Sequence, residues 1–185
     1  MWGVMAIAAA ATIAGSQLAG VVDSQDGKPL ELVSCGVRHT LWIEHYAAGL
    51  YVRSGTQVRS VRDPQEAKAV RLHMIDTRYL PKQIPKKWRT ALERELEPDA
   101  MARVNRAYSS LSNGDEVTIS YAPRGGIELR VNERVLARAP GHGVIDSILS
   151  EWAQGDPLEQ RLARLARDHP CPRNPVALGE PGLTR

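Results

Sequence analysis

Gly36-Val37-Arg38-His39-Thr40-Leu41-Trp42-Ile43-Glu44-His45-Tyr46-Ala47-Ala48-Gly49-Leu50-Tyr51-Val52 is the stretch on which the fold turns. It is rich in aromatic and β-branched residues and is entered through a glycine. Together with Leu30 to Cys35 it predicts one or two strands, closed by Ser54-Gly55-Thr56. Read as one long strand, it carries Arg38 near its start and Tyr46 and Tyr51 near its end. Arg38 and Tyr46 then share a face but stand ~27 Å apart, at a rise of ~3.3 Å per residue. No Gly, Pro, Asn or Asp between His39 and His45 marks a turn that would bring them together. His39 and His45 also share a face, ~20 Å apart by the same rise, too far for a common metal ion.

Outward from this stretch, Ala69 to Ile75 alternates as another strand, entered through Asp63-Pro64. Helical spacing then takes over: Trp88, Leu92 and Leu96 recur every four residues, and Met101, Val104, Tyr108 and Leu111 follow Pro98, a good first-turn residue. Ser112-Asn113-Gly114-Asp115 stops the run. Beyond it Val117, Ile119 and Tyr121, then Ile127, Leu129 and Val131, alternate with polar residues on either side of Arg124-Gly125-Gly126. That pattern predicts an antiparallel hairpin with one wet face, and a third strand, Arg134 to Ala139, returns through Asn132-Glu133. Val144, Ile145, Ile148, Leu149 and Trp152 then form one helical stripe, and Leu158, Leu162 and Leu165 another. The expected fold class is α+β: a large antiparallel sheet covered on one face by helices.

The ends and the composition set the context. The chain of 185 residues is 43% hydrophobic and 24% charged, with a net charge of +3 and no phenylalanine. Its arginines are scattered among acids rather than gathered in a stripe, which argues against a nucleic-acid partner. Met1 to Val22 holds no charged side chain, and its apolar run from Trp2 to Ala14 has the length of a signal-peptide core, with Ala14-Gly15-Ser16 suited to cleavage. Residues 1–20 are therefore expected to be a cleaved leader, placing the protein in the periplasm or outside the cell. An uncleaved anchor, the one route by which this reading meets a membrane, and an ordinary buried segment are the alternatives. A single domain is expected over 23–169, with a loose Pro- and Gly-containing tail over 170–185. Cys35 and Cys171 are the two cysteines. In an oxidising compartment they either form a bridge or remain one buried and one exposed thiol. No spacing of metal ligands is present.

Two blocks of sequence carry a resemblance. Gly36-Val37-Arg38 followed by Tyr46-Ala47-Ala48-Gly49-Leu50-Tyr51 resembles the arginine-bearing loop and strand of chalcone isomerase-like proteins. Gly114-Asp115 with its hairpin, then Ile148 to Gly155 with Trp152, resembles the C-terminal half of the smaller bacterial members. Together the blocks cover Leu30 to Arg167. The resemblance implies an open-faced sandwich, a large antiparallel sheet against helices with a ligand cleft between. In the plant isomerases an arginine steadies the substrate phenolate, and threonine and tyrosine hydroxyls organise the cleft. Arg38 matches that arginine, whereas Tyr46 and Trp152 stand where the two threonines would be. No tyrosine lies between Trp88 and Met101, and Tyr108 is the nearest.

The resemblance thus implies a non-catalytic protein, since preorganised donors are what would turn binding into reaction. Tyrosine at position 46 resembles the fatty-acid-binding branch, where an arginine and a tyrosine hold the lipid carboxylate. The expectation is an exported protein that binds a small amphipathic acid such as a fatty acid through Arg38, Tyr46 and Trp152, without a cofactor. The alternative is an intramolecular lyase or isomerase of chalcone isomerase type acting on another substrate. A protein-interaction module with a cleft filled by its own side chains is a third. Each named residue also has a plainer role: Arg38 capping carbonyls, Tyr46 packing in a core, Trp152 completing its helical stripe.

Overall fold

The computed structural model describes residues 11–13, 16–40, 42–56 and 63–152. Strands β1 (Ala11–Ile13) and β2 (Ser16–Leu18) pair with each other. A second sheet has seven strands in simple chain order: β3 (Val21–Asp23), β4 (Pro29–Thr40), β5 (Ile43–Val52), β6 (Lys68–Met74), β7 (Glu116–Ala122), β8 (Gly126–Val131) and β9 (Arg134–Ala139). Every neighbouring pair is antiparallel. Helices α1 (Lys86–Glu95) and α2 (Pro98–Ser109) enter between β6 and β7, and α3 (Gly143–Trp152) follows β9. This is the α+β arrangement that the periodicity predicts, with the helices of the described residues on one face.

The stretch Gly36 to Val52 is two strands, not one. Thr40 pairs with Ile43, so the chain reverses between them, and the register shifts between Arg38 and His39. A bulge beside a turn bends and twists the strand locally. The chain reverses beside this shift, and the sequence there holds no glycine or asparagine of the kind that marks most tight turns. The later turn at Asn132-Glu133 uses the commoner device: both residues have positive φ, 47° and 64°, as a two-residue hairpin loop requires.

Strand alternation divides the sheet's faces. Leu50, Val70, Leu72, Ile119 and Leu129 face the helices and meet Leu92, Val104, Ile145 and Ile148 in the main core. The opposite face carries a smaller cluster of Val22, Leu30, Tyr51, Ala67 and Ala69, and beside it the polar Thr118, Ser120 and Glu128. Gly49 sits in the middle of β5 for a steric reason: a Cβ there would lie 2.8 Å from Leu32 Cδ1 and 2.9 Å from Tyr51 Cε2.

The start of α3 is tied down electrostatically. Lys68, fully buried on β6, places Nζ 3.8 Å from Asp146 Oδ1 and 5.3 Å from the Tyr121 ring centroid, and donates to the Asp63 carbonyl at 3.3 Å. Asp146 also faces His142 Nδ1 at 2.6 Å, and the Gly143 amide donates to Glu95 Oε1 at 2.6 Å. Through these contacts α3 is tied to β6 and to α1.

Within the expected leader, Leu18 and Ser16 are buried. Residues 1–10, the helix expected over Leu158 to Leu165 and the tail over 170–185 lie outside the described residues.

Candidate functional site

A cavity of about 400 Å³ lies between the helix-facing side of the sheet and the helices. Its walls are largely apolar, with Leu72, Met74 and Ile119 from the strands and Leu92, Val104 and Ile148 from the helices. Its size falls within the roughly 300–1,000 Å³ of small-ligand clefts, and so does its chemistry of an apolar body with few polar groups.

Arg38 and Tyr46 both line this cavity, and they are direct partners across the β4–β5 ladder. Cβ atoms of residues so paired are about 4.5–5.5 Å apart, in place of the ~27 Å that a continuous strand would impose. The hairpin therefore brings a guanidinium and a phenol to one place, and the geometric obstacle to their acting on one group disappears. Arg38 is exposed and Tyr46 half-buried, so the pair marks the solvent side of the hollow. The guanidinium offers a planar fork of donors matched to a carboxylate, and the phenol adds another.

Four further polar side chains reach the cavity: His45, Tyr79, Trp88 and Tyr108. His45 is 7% exposed, and its Nδ1 and the Trp88 Nε1 are buried without a hydrogen-bond partner among the described residues. A buried polar atom left unpaired costs about 1–3 kcal/mol. Burial pushes the Tyr108 phenol above its ordinary pKa, which keeps it protonated and a donor at neutral pH. The sequence does signal Trp88 and Tyr108, which belong to the helical stripes Trp88-Leu92-Leu96 and Val104-Tyr108-Leu111. It gives no sign that stripe residues line a hollow rather than fill it.

The backbone of Trp152 ends α3. Its side chain, expected to contact ligand, lies outside the described residues, as does Cys171, the candidate partner of the buried Cys35. No group of three or more His, Cys, Asp or Glu side chains suited to a metal ion occurs among the described residues. No helix among them is long and apolar enough to cross a membrane.

No curated protein matches the chain by sequence. Among solved structures, a fatty-acid-binding protein of Arabidopsis thaliana aligns with it at a TM-score of 0.43 and 14% identity, over 80% of this chain and all of that one. The family model described as chalcone isomerase-like matches residues 10–164. That match takes in the Arg38–Tyr46 hairpin, the helices and the meander that enclose the cavity, and the chain belongs to the chalcone isomerase-like family.

Proposed function

We propose that this protein binds a small amphipathic acid, a fatty acid in the first instance, without transforming it. The carboxylate is held by Arg38 and Tyr46, and the acyl chain lies along the apolar wall. The observation that carries this reading is the cross-strand pairing of Arg38 with Tyr46 beside a cavity of about 400 Å³. Each methylene moved from water into that wall contributes roughly 0.8 kcal/mol, and the charge-assisted contact fixes which end of the ligand faces out. Titration of the purified protein with saturated fatty acids of increasing length tests the reading. Affinity rises about fourfold per methylene until the cavity is full, then levels. Absence of binding at every length, with no acid in a solvent extract by mass spectrometry, contradicts it.

The same reading holds the protein to be exported, on the strength of the uncharged Met1 to Val22 and the small residues Ala14-Gly15-Ser16. N-terminal sequencing of the protein from its native host checks this: a start between Gly15 and Val21 is expected, and an intact Met1 in the cytoplasmic fraction contradicts it.

One observation favours a second reading. Tyr108 brings a protonated phenol to the cavity from α2, so Arg38 and a helical tyrosine border the same hollow. An intramolecular lyase or isomerase reaction on a phenolic enone would use that pair. Turnover across a panel of such enones, lost in Tyr108→Phe with the fold intact, would favour this reading over simple binding.

A further inference from the structure

We infer that the mouth of the cavity docks on an anionic lipid bilayer, so that the ligand enters from the membrane rather than from bulk water. This inference rests on the proposed acid-binding site for its purpose, but not for its evidence.

Three large apolar side chains are exposed among the described residues: Trp42 at 83%, Tyr79 at 58% and Val135 at 38%. The two most exposed leave the same end of the sheet. Trp42 lies in the connection between β4 and β5, four residues beyond Arg38. The chain carrying Tyr79 leaves β6 at the strand end beside Tyr46, where the amides of Ile75 and Asp76 both donate to the His45 carbonyl, at 2.9 and 3.2 Å. Tyr79 itself lines the cavity. Amphipathic rings of this kind favour the headgroup layer of a bilayer, where one edge is apolar and the other wet.

Charge on the same segment chooses the lipid. From Asp76 to Arg89 the chain carries five cations, Arg78, Lys82, Lys86, Lys87 and Arg89, against the single anion Asp76. Arg78 is paired with Asp76, and Arg89 lies near Glu93. Lys82, Lys86 and Lys87 are exposed and make no ion pair among the described residues. Basic side chains beside interfacial aromatics are attracted to the negative surface of an anionic leaflet. Beside the lysines, Leu80, Pro81, Ile84 and Pro85 line the cavity, so the stretch leading into α1 carries charge outward and hydrocarbon toward the hollow. A ligand drawn from a docked bilayer would meet Arg38 and Tyr46 at the point of entry.

The test is co-sedimentation of the full chain with vesicles of phosphatidylcholine alone and of phosphatidylcholine mixed with phosphatidylglycerol, at low and high salt. The protein binds the mixed vesicles, binds the neutral ones weakly, and is released by salt. The combined charge reversal K82E/K86E/K87E lowers binding to the mixed vesicles about tenfold or more, and Trp42→Ser lowers it on its own. The apolar run Trp2 to Ala14 is present in all these proteins, so the differences report the rim. Equal partition onto both vesicle types, no partition onto either, or binding unchanged by the charge reversal overturns the inference. Fatty-acid titration without vesicles separates this outcome from that of the binding site. The charge-reversed protein keeps wild-type affinity for free acid, and a wild type with no such affinity contradicts the acid-binding reading while the vesicle result still decides the docking surface.

Discussion

Two tyrosines five residues apart on β5 have opposite fates. Tyr46 points toward the cavity beside Arg38, whereas Tyr51, of opposite parity on β5, is fully buried in the small cluster on the other face. Removing the Tyr46 hydroxyl deletes one donor to the ligand: Tyr46→Phe is expected to weaken fatty-acid binding about fivefold, the worth of one hydrogen bond of about 1 kcal/mol, as read by calorimetric titration. Burial drives the Tyr51 phenol up to about 12, and its Oη has no hydrogen-bond partner among the described residues. Because the folded state holds this proton more tightly than the unfolded chain, its contribution is complete below pH ~10 and is lost as pH rises through the folded pKa of about 12. Tyr51→Phe removes a buried, unpaired hydroxyl. It is expected to stabilise the protein by about 1 kcal/mol and to flatten that alkaline decline in denaturant titrations. A destabilised variant would mean that the hydroxyl is paired.

At the scale of elements, the β4–β5 hairpin is where sequence and structure part. Period-two alternation announces β6 to β9, and helical stripes announce α1 to α3, because each buries one face and the burial leaves its mark on residue type. A reversal between Thr40 and Ile43 with a register shift at Arg38/His39 leaves no such mark, since backbone register is not written in side-chain polarity. The site residues Arg38 and Tyr46 are thus visible in the sequence, but their meeting is not. Lys68 was equally hidden: a lysine inside a strand reads as solvated, yet here it is sealed between β6, Tyr121 and Asp146. Desolvation is the main influence on it and lowers its pKa, with Asp146 opposing. A lowered lysine pKa means that the unfolded chain binds the proton more readily. Stability therefore rises with pH through the folded pKa until the unfolded value of ~10.4 is reached. Lys68→Met retains the volume and removes the buried charge. At pH 7 it is expected to cost about 3 kcal/mol, because the buried Asp146 Oδ1 is left without its cation, and to lose the rise toward alkaline pH. A variant as stable as the wild type would show instead that the desolvation of Lys68 outweighs the pair.

For the molecule as a whole, the layering among the described residues of a seven-strand meander beneath three helices follows from the order of periodicities along the chain. The hollow between the layers does not. Leu72, Val104 and Ile148 carry the same pattern whether they meet in a solid core or face each other across a gap, and the difference depends on the distance at which the elements are held. Here the ties at the start of α3, from Lys68 to Asp146 and from Gly143 to Glu95, contribute to that spacing. The central claim is that Arg38 reads the acid end of a ligand whose tail fills this space. Titrating wild type and Arg38→Ala with one saturated fatty acid and with its methyl ester tests it directly, because the ester keeps the tail and loses the charge. Wild type should prefer the acid by about thirtyfold, the equivalent of about 2 kcal/mol for a charge-assisted contact, and Arg38→Ala should bind acid and ester alike. Equal affinity of the wild type for acid and ester, or an acid preference that survives the loss of Arg38, would contradict the account.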